Sequence, residues 1–173
     1  MEKLFVTANN FLNKEKNPPK FIAVRYGNVL GSSGSVVPIM IGQIQNNQQI
    51  TITDPKMTRF NITMDNALDF ILHAAELGMG SEIFVPKLKT YSISGLIEVL
   101  KELFGDAKEK VIGIRPGEKL HETLINREEI RYSWEIKGMY MIGCHSTFRH
   151  GNAFTPSIPL NNYKYWCHFR CHF

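Results

Sequence analysis

Cysteine is missing from the first 143 residues; Cys144, Cys167 and Cys171 all fall in the last 30 of 173. A body without thiols excludes a disulfide-stapled fold and leaves a reducing, cytoplasmic setting as the expectation. No apolar run approaches the roughly 18 residues that a membrane span needs, so no membrane partner is expected. The opening MEKLFVTANNFLNKEKN carries acids and no small-residue cleavage site, which reads against a secretory leader. A strong excess of one charge is also lacking: 20 Lys+Arg against 16 Asp+Glu leave a net charge of +4. That balance suits anionic ligands in general, but it is no nucleic-acid signature. Internal repeats are absent.

What is present is an ordinary globular composition, 43% hydrophobic and 21% charged, in a chain long enough for one domain with a core. Leu4, Phe5, Ala8, Phe11 and Leu12 follow helical spacing up to the stop at Asn17-Pro18-Pro19. KFIAVRY (20–26) reads as a buried strand, GNVLGSSGS as the loop after it, and VVPIMIGQIQNN as a short helix. ITIT (50–53) reads as a strand closed by Asp54-Pro55. Met64, Ala67, Leu68, Ile71, Leu72 and Ala75 form a helical stripe capped by Thr63. EIFVP (82–86) is a strand, and Ser94 caps a helix through Leu96, Ile97, Leu100, Leu103 and Phe104 that Gly105 stops. KVIGI is a strand, KLHETLI a helical turn or two, and MYMI (139–142) a last strand. Strands alternating with helices predict an α/β body over residues 1–142. Residues 143–173 lose all periodicity and are expected to lie outside that core.

Several residue groups invite chemistry. Gly27, Gly31 and Gly34 follow a strand, with Asp54 further on, but their spacing does not match a dinucleotide fingerprint. A Gly/Ser-rich loop lining a site fits them better. Arg59 and Arg115 stand at loop positions from which planar guanidinium groups can fork onto phosphate oxygens. The plain alternative is a surface Arg with a local carboxylate partner. Glu118 either accepts hydrogen bonds from sugar hydroxyls or favours the start of a following helix. His121 reads as packed or solvated rather than catalytic. Cys144-His145 and Cys167-His168-x-x-Cys171-His172 do not follow a standard zinc spacing, so no metal is expected.

Together RYGNVLGSSGSVVP, ITDPKMTRFNIT, EIFVPK and GIRPGEKLHE, in this order, resemble one family from about Glu2 to Ile142. They are similar to the C-terminal half of the polysaccharide-biosynthesis (CapD-like) group of the extended short-chain dehydrogenase/reductases. Within it they look most like the configuration-inverting UDP-N-acetylglucosamine 4,6-dehydratases. The resemblance implies a Rossmann-type fold with its substrate-binding subdomain, and NADP as cofactor. Tyr26 and Gly27 are implied to pass the nicotinamide, and Asn28 to reach the sugar diphosphate. The loop from Gly31 to Val37 would lie over the nucleotide-sugar pocket. Arg59 and Arg115 would grip the UDP phosphates, and Glu118 the ribose. The implied reaction takes a hydride from sugar C4, loses water across C5 and C6, and returns the hydride to C6.

The departures weigh as much. The family's Gly-rich cofactor loop is not in this sequence. None of the six Tyr has a Lys four residues later, so the pair in which Lys lowers the pKa of an acid/base Tyr is absent. Met1 would fall mid-helix, just beyond that pair. No catalytic residue is therefore assigned. Two main readings follow: the UDP-sugar-binding half of such a dehydratase, inactive alone, or a non-catalytic UDP-sugar-binding or partner-docking module. A self-sufficient enzyme using the Gly27–Gly34 loop ranks last. The expected partners are a UDP-sugar and the missing catalytic half or an intact family member, in a family that is usually homo-oligomeric. In the first reading the N-terminal helix and parts of KFIAVRY present an apolar face.

Overall fold

A computed structural model describes residues 2–12 and 17–143, together with the backbone of 158–159. In chain order its elements are α1 (Glu2–Leu12), β1 (Ala23–Val24), β2 (Asn28–Val29), α2 (Val36–Gln45), β3 (Ile50–Ile52), β4 (Thr58–Ile62), α3 (Met64–Leu77), β5 (Ile83–Pro86), β6 (Thr90–Ser92), α4 (Ile93–Phe104), β7 (Glu109–Val111), a 3-10 turn (Glu129–Tyr132), β8 (Ser133–Ile136), β9 (Met139–Ile142) and β10 (Ile158–Pro159). Contacts divide the chain into two units, one drawn from 1–26, 68–87 and 123–173, the other from 27–67 and 88–122.

The first unit is a five-stranded sheet in the order β1-β5-β9-β8-β10. β1 and β5 are parallel, with Ala23 opposite Ile83, and β9 then joins β5 antiparallel. Phe84 and Val85 are fully buried on opposite faces of β5. Phe84 packs with Phe70, Ala74 and Met141, and Val85 with Ile125, Tyr140 and Ile142. Burying such side chains stabilises a fold by about 1.5–3 kcal/mol each. β10 adds two residues of the 143–173 segment to the sheet edge.

Arg25, just past β1, ties three segments together. It meets both carboxylate oxygens of Glu2, both of Glu129 and the Leu124 carbonyl, at 2.6 to 3.0 Å. Those hydrogen bonds hold the Glu129 carboxyl below its ordinary value, against the opposing effect of burial. Glu82 is the opposite case. Its side chain is buried, one oxygen accepts from the Met79 and Gly80 N–H groups, and the other has no partner. Burial therefore pushes its carboxyl up.

The second unit holds the three-stranded sheet β2-β4-β6 and the parallel pair β3-β7. Its core joins Met40 and Ile44 of α2, Ile50 and Ile52 of β3, Met57, and Ile93, Ile97 and Leu100 of α4.

Several expected elements change. KFIAVRY yields only the two-residue β1, and KVIGI only β7. Ser92, not Ser94, caps α4, its hydroxyl accepting from Gly95 N–H at 3.1 Å. KLHETLI is not helical, because its backbone bonds go sideways: Thr58 N–H donates to Leu120 O, and His121 bridges to Thr58. The α3 stripe splits, burying Ala67, Phe70 and Ala74 while Met64, Leu68 and Leu72 stay exposed. The helix has apolar residues on two faces, and periodicity alone cannot choose between them. On α1, Leu4, Phe5 and Phe11 are likewise exposed. The Cys/His pairs of the tail lie outside the described residues.

Candidate functional site

Strand β4 organises the site. In Thr58-Arg59-Phe60-Asn61-Ile62 the first, third and fifth residues are buried and the two polar ones half-buried, the alternation of a strand with one face in the core. Arg59 and Asn61 thus share a face, about 6.6 Å apart along the strand. Asn61 stands opposite Asn28 of the parallel β2, and Arg59 opposite Tyr91 of β6.

Gly27 makes this pairing close. A Cβ there would sit 2.3 Å from the Phe60 carbonyl oxygen, so only glycine lets the chain entering β2 run against β4. After β2 the chain turns through Gly31 and Gly34, both at positive φ, and enters α2 at Ser35. This Gly/Ser loop lines a groove of about 330 Å³ together with Asn28, Val36, Val37 and Asn61. Within the groove lining, the Ser35 Oγ is buried without a hydrogen-bond partner. Tyr91 carries a second such orphan: its hydroxyl is buried, and the Asn61 amide approaches it without forming a well-shaped hydrogen bond. Burial is the main cause pushing the phenol's pKa up. Buried polar atoms are usually paired, so two orphans beside one strand face mark a place built to meet something polar.

Arg59 is held from below. Its Nη1 donates to the carbonyls of Thr58 at 2.9 Å and Leu120 at 3.2 Å. Two carboxylates face its other edges, Glu118 at 3.6 Å from Nη2 and Glu122 at 3.7 Å from Nε. Both separations exceed hydrogen-bond length, and Nη2 donates only to the Met57 sulfur at 3.2 Å, so the guanidinium is oriented while its Nη2 and Nε edges stay weakly engaged by the carboxylates. The local-carboxylate alternative for Arg59 thus holds in geometry, with two glutamates rather than one.

The stretch Arg115-Pro116-Gly117-Glu118 is a tight turn. Glu118 N–H donates to Arg115 O at 3.0 Å, and Gly117 takes the positive φ that the third turn position demands. The Glu118 carboxylate also accepts from the Arg115 N–H at 3.3 Å. The turn brings Glu118 to Arg59, while the Arg115 side chain stays exposed with no hydrogen bond or ion pair to any described residue. His121 is exposed, and its Nδ1 shares a 2.9 Å hydrogen bond with Thr58 Oγ1.

Of the expected site residues, the structure brings Asn28 to the groove, and joins Arg59 to Glu118. Tyr26 is partly exposed and Gly27 is occupied by its packing on Phe60. Glu118 starts no helix, which removes its helix-capping alternative. Sequence reasoning missed Asn61, Tyr91 and Glu122. The R-F-N-I alternation in β4 carried the signal for Asn61; nothing local singles out the other two.

The family described as "Polysaccharide biosynthesis protein" matches residues 1–143. A UDP-N-acetylglucosamine 4,6-dehydratase (inverting) of Campylobacter jejuni strain 81-176 is 40% identical over 142 residues, covering 82% of this chain and 41% of that protein. A UDP-glucose 4-epimerase of Rickettsia felis is 38% identical over 143 residues, with the same two coverages. Among solved structures, Pen from Bacillus thuringiensis superposes with a TM-score of 0.76 at 36% identity, over 83% of this chain and 46% of that one. The chain thus spans about two fifths of the length of the curated relatives it matches.

Proposed function

The chain belongs to the polysaccharide-biosynthesis protein family of nucleotide-sugar dehydratases and epimerases, with an extended short-chain dehydrogenase/reductase fold, and from that premise we propose that its second unit binds the UDP moiety of a UDP-sugar. The observation that carries this reading is the polar face of β4. One end of it meets the groove through Asn61, and the other bears an Arg whose orientation is fixed before any ligand arrives.

A diphosphate is the anion that such an arrangement suits. Arg59 offers the donors that Glu118 and Glu122 hold only loosely, and the exposed Arg115 adds a second fork at the turn. A phosphate on Arg59 displaces Glu118, whose carboxylate is then available to the ribose hydroxyls. Asn28, Asn61 and Ser35 supply hydrogen bonds along the groove to the remainder of the nucleotide-sugar. The two relatives named above act on UDP-sugars by their names, which supports UDP over other diphosphates; UDP-N-acetylglucosamine is the sugar we favour.

NADP is the hydride acceptor expected from the resemblance. Gly27 packs closely on the Phe60 backbone and Tyr26 is exposed, and their place along the nicotinamide is what the resemblance implies. No hydride or dehydration step is derived from these residues, and the activity proposed for the chain by itself is binding. The test is calorimetric titration with UDP and UDP-N-acetylglucosamine, repeated with Arg115→Ala. Binding to both that the substitution weakens at least tenfold supports the reading; a folded chain that binds neither refutes it.

A further inference from the structure

The register of the sheet β2-β4-β6 lines up a row of polar side chains. Tyr91 stands directly opposite Arg59, and Asn28 directly opposite Asn61. Residues paired across strands share a face, as do Arg59 and Asn61 two places apart on β4. Tyr91 and Asn61 are therefore diagonal neighbours, about 7–8 Å apart along the sheet and within reach of each other's side chains. The Tyr91 ring packs on the core of the second unit, which fixes where its hydroxyl ends. That hydroxyl is buried and unpaired, and the group beside it is the Asn61 amide. Asn61 also lines the groove, where its side chain makes no hydrogen bond to any other described residue.

A phenol and a carboxamide meet in one of two ways. Either the hydroxyl donates to the amide oxygen, or it accepts from the amide nitrogen. Two features favour the first. The positive charge of Arg59, across from Tyr91, draws the hydroxyl lone pairs toward itself and turns the O–H away. Burial also keeps the phenol protonated, and a buried donor left without an acceptor is costly. Once the amide oxygen is taken, the two N–H donors of Asn61 are what remains for the groove.

We infer that Tyr91 is a positioning residue, whose hydroxyl turns the Asn61 amide so that its NH2 group faces the groove and donates to an oxygen of the ligand. The inference rests on reading the groove as the UDP-sugar site, and it states what that site selects at this point: an oxygen acceptor, on the diphosphate or on the sugar. Tyr91 itself need not touch the ligand, in keeping with a hydroxyl closed off from solvent. A ligand that holds the amide in place also pairs the hydroxyl, so the two hydrogen bonds support each other.

The experiment titrates UDP and UDP-N-acetylglucosamine into the full 173-residue chain, Tyr91→Phe, Asn61→Ala and the double variant, with a thermal midpoint for each sample. Tyr91→Phe removes a buried, unpaired oxygen, so its midpoint holds or rises while binding weakens roughly fivefold or more. Asn61→Ala weakens binding at least as much. Adding Tyr91→Phe to it costs no further affinity, because the hydroxyl acts only through the amide. Asn61→Asp keeps the shape but offers no N–H, and it does not restore binding. A loss shared by both ligands places the acceptor in the UDP part, and a loss confined to UDP-N-acetylglucosamine places it in the sugar. Unchanged affinity in Tyr91→Phe overturns the inference. So does a lowered midpoint in that variant, a further loss in the double variant, or full binding by Asn61→Asp. A wild-type chain that binds neither ligand removes the UDP-sugar reading, and this inference with it.

Discussion

Arg59 Nη1 donates to the Leu120 carbonyl at 3.2 Å, joining β4 to the loop that follows the Arg-Pro-Gly-Glu turn. The same nitrogen satisfies Thr58 O at 2.9 Å. Replacing Arg59 by Ala removes both bonds and leaves Glu118 and Glu122 without the cation between them. A loss of about 2–3 kcal/mol is expected in urea unfolding. Since Arg59 supports the site and would also touch ligand, binding data on this variant need that stability measurement beside them.

Arg115 separates the two roles. Its side chain is exposed and makes no bond to a described residue, so Arg115→Ala changes stability by less than about 0.5 kcal/mol. UDP affinity is nevertheless expected to fall at least tenfold, the loss of one charge-assisted contact. Unfolding and titration on one preparation check both halves.

Gly27→Ala is expected to be the most damaging single methyl in the second unit, since its Cβ would come 2.3 Å from the Phe60 backbone oxygen. Either β2 separates from β4 or the chain before it shifts, at roughly 1–3 kcal/mol or more. Thermal unfolding measures the loss, and an unchanged midpoint refutes the close approach.

Ser35→Ala is expected to leave stability unchanged or slightly raised, because the hydroxyl it removes is buried without a partner. If the groove binds the nucleotide-sugar, the same variant binds UDP-N-acetylglucosamine more weakly. A variant that loses stability instead shows that the hydroxyl is paired in the folded protein.

Two glutamates give opposite pH dependence. Glu129 is held down by its hydrogen bonds to Arg25, so its stabilisation is fully present above the ordinary carboxylate range and is lost as pH falls through its folded value. Glu82 is pushed up by burial, so its contribution is full below that range and is lost as pH rises through its folded value. Glu129→Gln should flatten the acid side of the stability profile, and Glu82→Gln should remove a loss of stability on the way to neutral pH. Midpoints from thermal unfolding between about pH 3 and 7 test both signs.

The helices α1, α3 and α4 were legible from a 3.6-residue apolar period, with a stop at Asn17-Pro18-Pro19 for α1 and at Gly105 for α4, while α2 was read as a short helix without either signal. β4 was not, although its alternation is regular, because the Asp54-Pro55 turn before it and the Thr63 cap after it made the stretch look like a connection. KLHETLI misled in the other direction. Its spacing suits a helix, but Thr58 claims the Leu120 carbonyl and His121 from across the sheet, a long-range contact that no local pattern reports. Arg115 and Glu118 could be picked out as charged loop residues next to glycine and proline; Arg59, expected at a loop position, stands within strand β4 instead. That Glu118 turns back on Arg59 depends on the Gly117 conformation, which spacing suggests but does not fix.

The order in which the first unit can form follows from where its strands lie in the chain. β1 is made early, its neighbour β5 much later, and β9, which flanks β5 on the other side, only near the end of the described residues. On a ribosome β5 emerges with β1 waiting and its second partner not yet synthesised, and Arg25 likewise waits for Glu129, which precedes β9 in the chain. The segments of the second unit are both complete before that point. Synthesis therefore exposes the apolar residues of β5, Phe84 and Val85, for the time it takes to add residues 87–142, and that interval is when the nascent protein most needs a chaperone.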